Sequence, residues 1–228
     1  MNCTPQSITH DWLGFLTSLR SVIYLTDDKE VRLQQYVEQL LRWNQIYPLL
    51  GPAALPHLLS RHLLDSSSLI PLLPESGRIA DMGSGAGLPG IVLAILSSSS
   101  RQFHLLEANQ KKARFLQFMV SELDLSNRVT VHKQRVEEAK ALHGNFDCTT
   151  SRALADLETL GKLSRLLLKP RGICLAMKGR SVHDDLHHFA HGKQALYFNQ
   201  PVIHPSPFGG EGVIVQLQSV PRETKGKR

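Results

Sequence analysis

Apolar residues recur along the chain with two different rhythms, and the change between them divides it. Over residues 29–44, Leu33, Tyr36, Val37, Leu40 and Leu41 fall at i, i+3, i+4, i+7 and i+8, with Glu and Gln opposite. That spacing predicts an amphipathic helix. Pro48, Gly51 and Pro52 break it, and a second helical stretch over about 56–70 carries Leu58, Leu59, Leu63 and Leu69 before Pro71 and Pro74 close it. Residues 1–75 therefore read as a small helical unit and residues 76–228 as a second unit.

From Gly77 the rhythm changes to short strands alternating with helices. Strands are expected at Arg78–Met82, Gln102–Leu106, Val129–Lys133, Phe146–Thr150 and Ile173–Met177. Helices are expected at Pro89–Leu96, Lys111–Leu123, Leu157–Leu168 and Val182–Ala190, with Gln194–Pro201 and an antiparallel Val213–Gln218 finishing the sheet. Repeated βα units predict an α/β fold, a mostly parallel sheet with helices on both faces. Ligands of such sheets lie at the carboxyl ends of the strands, near the switch in strand order.

Composition narrows the class. A chain of 228 residues with 42% hydrophobic residues can bury a core without covalent staples. Its three cysteines, Cys3, Cys148 and Cys174, are too far apart in sequence for a CxxC pair, so a reducing, cytoplasmic setting is expected. The longest apolar runs, such as Ile91 to Leu96, fall far short of the roughly 20 residues a membrane span needs. The net charge of +6 is uneven: residues 1–75 carry −2, residues 76–180 carry +7, and residues 181–228 carry +1. An anionic partner facing the middle third is the expectation. The terminal Arg222, Lys225, Lys227 and Arg228 read as a solvated end.

The stretch Asp81-Met82-Gly83-Ser84-Gly85-Ala86-Gly87-Leu88-Pro89-Gly90 lies where the first strand turns into the first helix of the sheet. Gly85, Gly87 and Gly90 spell GxGxxG, with Glu107 twenty residues past Gly87, the pattern of a dinucleotide site. Asp81 argues against a pyrophosphate, because a carboxylate at the strand end would face that anion. It suits S-adenosylmethionine, whose ammonium Asp81 would accept from, while the ligand carboxylate takes helix N-terminal amides. Glu107, ending the second strand, would accept both ribose hydroxyls. The expected fold class is accordingly a class I, Rossmann-like methyltransferase sheet.

The same loop closely resembles that of ribosomal RNA small subunit methyltransferase G, the family also called glucose-inhibited division protein B. Further matches run in the family's order: Arg61-His62-Leu63-Leu64-Asp65-Ser66, Leu105-Leu106-Glu107, Lys112-Ala113-Arg114-Phe115-Leu116, Arg135-Val136-Glu137-Glu138, Ser151-Arg152-Ala153 and Met177-Lys178-Gly179. The similarity spans about residues 33–218. It implies S-adenosylmethionine-dependent N7-methylation of a guanine in the 530 loop of 16S rRNA, within a 30S particle or an assembly intermediate. It also implies cofactor contacts at Gly83, Leu88, Val136, Glu137 and Arg152, beside Gly85 and Gly87 of the loop. One departure is that Trp43-Asn44 and Tyr47 are followed by Pro48-Leu49-Leu50, where the family usually has Asn-Leu-Thr.

Guanine N7 carries a lone pair and no proton, so positioning is the requirement and no general base is assigned. Arg152 and Lys178, at the ends of the fourth and fifth strands, are candidates for guanine, phosphate or carboxylate contacts. Lys111, Lys112, Arg114, Lys133 and Arg135 would attract phosphate. Arg61, His62 and Asp65 share one helix face and read as a buried ion-pair brace. His183, His187 and His191 share another, with no second ligand cluster, so no metal site is assigned. A monomer suffices for this chemistry. The competing readings are a methyltransferase of another nucleic acid or a protein, an NAD(P)-dependent oxidoreductase, and a non-catalytic RNA-binding ribosome-assembly factor.

Overall fold

The structure, a computed structural model, describes residues 5–179, 182–209 and 212–221, with side chains from residue 11. The basic C-terminal residues Arg222, Lys225, Lys227 and Arg228, and Cys3, lie outside that range. Seven strands form one sheet: β1 Gly77–Met82, β2 Arg101–Leu106, β3 Val129–His132, β4 Phe146–Arg152, β5 Leu168–Lys178, β6 Val202–Pro205 and β7 Val213–Gln218. Their order is β3-β2-β1-β4-β5-β7-β6. The first five pair in parallel, and β7 runs antiparallel between β5 and β6. Strand order reverses between β1 and β4, so the end of β1 lies at the switch point.

One strand falls elsewhere than expected. Lys193–Tyr197 is a 3₁₀ turn, and only Phe198 makes a bridge, to Ser219. The Glu158 carboxylate accepts the Gln194 N–H at 3.1 Å, and Phe198 packs beside Phe189, which pins the segment against helices before it can extend. The edge strand begins later, at Val202.

Helices α1 Pro5–Arg20 and α2 Asp27–Ile46 open the chain. Helix α1 lies outside the helices expected from the spacing; its Phe15, Leu16 and Leu19 are buried, as is Ile23 just beyond its end. Thr26 caps α2, accepting from Lys29 N–H, with Asp27, Asp28 and Glu30 in its first turn facing the positive end of the helix dipole. The stretch expected as one helix over 56–70 is broken into a 3₁₀ turn at Leu55–His57, a π-helical turn at Leu58–Leu63, α3 Leu64–Ser67 and a 3₁₀ turn at Ile70–Leu72. Ser66, Ser67 and Ser68 bond back to the carbonyls of His62, Leu63 and Asp65, a local competition that disfavours a long regular helix.

The remaining helices cover the sheet. On one face lie α4 Gly90–Leu96 and α5 Gln110–Glu122; on the other lie α6 Leu157–Leu167 and α7 Val182–His191. Every residue of α4 is buried, because the sheet covers one side and the N-terminal helices the other. A single hydrophobic cluster runs from Phe15, Leu33 and Tyr36 through Ile91 and Leu93 to Phe115. Trp43 of α2 packs on Phe115 and Phe118 of α5 at 5.5 and 5.4 Å, and Arg32 donates to the Leu123 carbonyl at 2.7 Å. The second cluster, under α6 and α7, holds Ala80, Met82 and Leu106 from the opposite face of the same strands.

The helical segment and the sheet thus share one core. Residues 76–228 expressed alone are expected to aggregate or to bind a hydrophobic dye without a sharp melting transition, since the outer side of α4 would lie bare. A cooperative melt of that fragment would contradict the shared core.

Candidate functional site

The glycine loop leaves β1 at Met82 and turns back at the sheet's carboxyl edge. Gly83 and Ser84 donate their N–H groups to the Leu106 carbonyl at 2.9 and 3.1 Å, which ties the loop to the end of β2. Gly87, at φ +92°, has no room for a side chain: a Cβ there would lie 2.7 Å from Ile91. Such a φ also disfavours every residue but glycine. At Gly90 the constraint is close approach, since a Cβ would lie 2.5 Å from the Asp81 carboxylate. Gly85 is open, its nearest such contact being the Gly83 carbonyl oxygen at 3.7 Å.

Asp81 does not occupy the place expected of it. Along β1, Ala80 and Met82 face the α6 side while Ile79 faces α4. The alternation of a strand therefore turns Asp81 toward α4 as well. Its Oδ2 accepts the Gly90 N–H at 3.1 Å and its Oδ1 accepts the Thr150 hydroxyl at 3.0 Å. The residue is 1% exposed and lies outside the cavity lining, and its two oxygens brace the loop from beneath. Burial pushes its pKa up to about 6, against the pull of the hydrogen bonds it accepts.

Glu107 stands where expected. Its carboxylate reaches the loop: Oε2 accepts the Gly85 N–H at 2.8 Å and Oε1 the Asn109 N–H at 2.7 Å. Asn109 in turn caps α5, accepting from the N–H groups of Lys111 and Lys112. A third anchor comes from a residue whose spacing predicts only a core position. Tyr36 of α2 is fully buried, and its hydroxyl donates to the Ala86 carbonyl at 2.8 Å. Burial raises its pKa, so the phenol keeps the proton that makes this bond.

These elements enclose a cavity of about 670 Å³. Of the expected site residues, Gly83, Gly85, Leu88, Glu107, Val136, Glu137 and Arg152 line it; Asp81 and Gly87 lie behind the loop. Val136 and Glu137 sit on a 3₁₀ turn after β3. Leu49, Leu50, Ala54 and His62 of the helical segment close the other side. There Asn44 Oδ1 accepts the N–H groups of Leu49 and Leu50, both at 2.8 Å, so these two leucines present an apolar wall. Facing it is Leu154, 41% exposed, after Ala153 in a left-handed conformation (φ +52°).

The charged candidates sort differently from their expectations. Arg61 and Asp65 are absent from the ion pairs of the described residues; His62 instead meets Arg152, Nδ1 to guanidinium. Lys178 is committed to Asp185 at 2.7 Å and to the Ala155 carbonyl at 2.6 Å, so it braces the loop after β4. Lys112 and Arg135 line the cavity, while Lys111 lies over the Tyr47 ring at 4.6 Å. Of the histidine face on α7, His191 bonds to the His187 carbonyl, with its ring tilted against that of His187 at 4.5 Å.

A sheet of this order, with an antiparallel strand next to its last parallel one and a glycine loop at the switch point, defines the class I methyltransferase fold. Solved structures with this fold include a methyltransferase of Methanococcus maripaludis (TM-score 0.61, 14% identity, 82% of this chain and 95% of that one). Another is an O-methyltransferase of Thermotoga maritima (TM-score 0.55, 19% identity, 69% of this chain and 65% of that one). The family model described as rRNA small subunit methyltransferase G (GidB) matches residues 29–206. The protein of that name from Caulobacter vibrioides is 34% identical over 220 residues, covering 96% of this chain and 95% of that protein. The one from Rhodospirillum centenum is 42% identical over 156 residues, 68% and 69% of the two chains. The chain belongs to the ribosomal RNA small subunit methyltransferase G family.

The brace at Asp81 has a pH signature. Its folded pKa of about 6 lies above the ordinary 3.8, so the folded state holds this proton more tightly than the unfolded one. The group's contribution to stability is full below pH 3.8 and is lost as pH rises through about 6. Asp81→Asn keeps an acceptor for Gly90 and removes that loss. Its stability relative to wild type is expected to rise between pH 4 and pH 6.5 by about 2–3 kcal/mol in denaturant melts. His62 and Asp65 titrate alike in both proteins and cancel; a pH-independent difference would contradict the assignment.

Proposed function

We propose that this protein transfers the methyl group of S-adenosylmethionine to N7 of a guanine in the 530 loop of 16S rRNA, within a 30S particle or an assembly intermediate. The observation that carries this reading is a cavity at the sheet's switch point, lined by the glycine loop and Glu107, in a chain of this family. The cavity suits the cofactor: Gly85 leaves open space over the loop, and Glu107 places an acceptor pair beside it. Among the described residues no helix is long and apolar enough to cross a membrane. A cytoplasmic monomer is part of the proposal.

S-adenosylmethionine supplies, when bound, a methyl group on a sulfonium. Glu107 would exchange its bonds to Gly85 and Asn109 for the ribose hydroxyls. Val136 and Glu137, on the turn after β3, would flank the adenine, with Leu88 as apolar floor. Gly83 and Gly85 would let backbone approach the ligand, Gly87 would let the loop turn behind them, and Arg152 would meet an anion. Asp81 acts indirectly, by occupying the Gly90 amide at the start of α4. That leaves this helix end unsuited to a pyrophosphate, which favours S-adenosylmethionine over a dinucleotide.

Methyl transfer to N7 is an in-line displacement by a lone pair, so the chain's task is to hold the base and withhold proton acceptors from it. Leu49, Leu50 and Leu154 offer apolar walls for a purine. Lys112 and Arg135 at the cavity, with exposed Lys111, Arg114 and Lys133, suit a phosphate backbone crossing the mouth.

Two measurements test this. S-adenosylhomocysteine is expected to raise the melting temperature and NAD to leave it unchanged; stabilisation by NAD alone would refute the cofactor. Mapping of 7-methylguanosine in 16S rRNA is expected to show one 530-loop guanine methylated only in cells that carry the gene. No difference at any guanine would refute the substrate.

A further inference from the structure

The contact between His62 and Arg152 joins the helical segment to the carboxyl end of β4 across 90 residues of sequence. A π-helical turn at Leu58–Leu63 carries His62, and both residues line the cavity. Single π turns recur at functional sites because their wider ring displaces side chains from a regular helical path. Arg152 is half-buried, and the ion pairs of the described residues lie elsewhere, at Arg20–Glu30, Arg32–Asp28, Lys169–Asp147 and Lys178–Asp185. The carboxylate whose field reaches Arg152 is Asp65, itself half-buried, with its pKa raised by burial and no ion pair to the guanidinium.

Arg152 and Arg61 are the charged side chains that act on His62. Burial first, then Arg152, Arg61 and His57, push its pKa down to about 4, with the Ala54 carbonyl acting weakly the other way. The ring is therefore neutral at neutral pH. Since a guanidinium only donates, Nδ1 is the acceptor and the proton sits on Nε2, which is buried without a well-formed hydrogen bond.

We propose that His62 is a positioning residue that holds Arg152 in the cavity wall without neutralising it, leaving the guanidinium's charge for an anionic group of the bound ligands. This rests on the methyltransferase reading. The anion is either the carboxylate of the cofactor or a phosphate of the RNA. A carboxylate at position 62 would grip Arg152 more tightly but cancel its charge and compete with that anion. An apolar residue would leave the long arginine side chain free to rotate. A neutral acceptor restrains the geometry and spares the charge.

The test uses the full chain with His62→Glu, His62→Gln and His62→Leu, each melted first. Binding is then measured to S-adenosylhomocysteine, to 5′-methylthioadenosine, which lacks the carboxylate, and to 30S subunits. His62→Glu is expected to melt at or above wild type yet lose at least about tenfold in affinity for the ligand that brings the anion. His62→Gln, a neutral acceptor, is expected to recover most of what His62→Leu loses. Loss for S-adenosylhomocysteine without loss for 5′-methylthioadenosine assigns the anion to the cofactor. Loss for 30S subunits alone assigns it to RNA phosphate. Wild-type affinities in His62→Glu, or equal loss for all three ligands, would overturn the proposal. Should His62→Glu not fold, equal losses in His62→Gln and His62→Leu would overturn it as well. A wild-type protein that binds none of the three fails the methyltransferase reading and this inference with it.

Discussion

The buried carboxylate of Asp81 holds together the parts on which the site depends. It joins the end of β1 to the first amide of α4 and to the hydroxyl of Thr150 on β4. These are the two strands between which the order of the sheet reverses. Gly90 has no side chain, so α4 can approach the carboxylate closely, and Gly87 lets the loop turn tightly enough to deliver it. The loop is then fixed from above by Tyr36 and from the side by Glu107. A loop held at three points presents its amides in one arrangement before any ligand arrives, which lowers the ordering cost of binding.

Charge is arranged in layers around this loop. The excess positive charge of the chain is concentrated in residues 76–180, which carry +7 and also supply Asp81 and Glu107. One carboxylate lies beneath the loop and is neutral in part near its pKa of about 6; the other is at the cavity surface. Lys112 and Arg135 stand at the mouth and Arg152 in the wall. A basic exterior around a cavity with its own carboxylate suits a cationic cofactor within and a polyanion outside.

Much of this was legible in the sequence, for identifiable reasons. The βα rhythm placed five parallel strands because their apolar runs are short and bounded by turn residues. Glu107 was legible because a strand end fixes the position of a carboxylate to within a residue or two. The role of Asp81 was not, because its direction depends on strand parity, which emerges only once Ala80 and Met82 are seen against α6 and Ile79 against α4. Tyr36 counted as an apolar position on α2, since no spacing tells that its hydroxyl meets a carbonyl 50 residues on. The ion pair expected at Arg61 and Asp65 gave way to His62 and Arg152 because a π turn rotates the side chains away from helical spacing. The edge strand was displaced because Glu158 captures the backbone of Gln194, a contact between distant segments.

The proposed function requires this cavity to hold a ribose-bearing cofactor through the Glu107 carboxylate, above a loop that Asp81 braces. Calorimetric titration of S-adenosylhomocysteine into wild-type protein and Glu107→Gln tests it most directly. The account predicts a loss of about 1.5–3 kcal/mol in binding, the range of hydrogen bonds to a charged group. Equal affinity in the two proteins would contradict it.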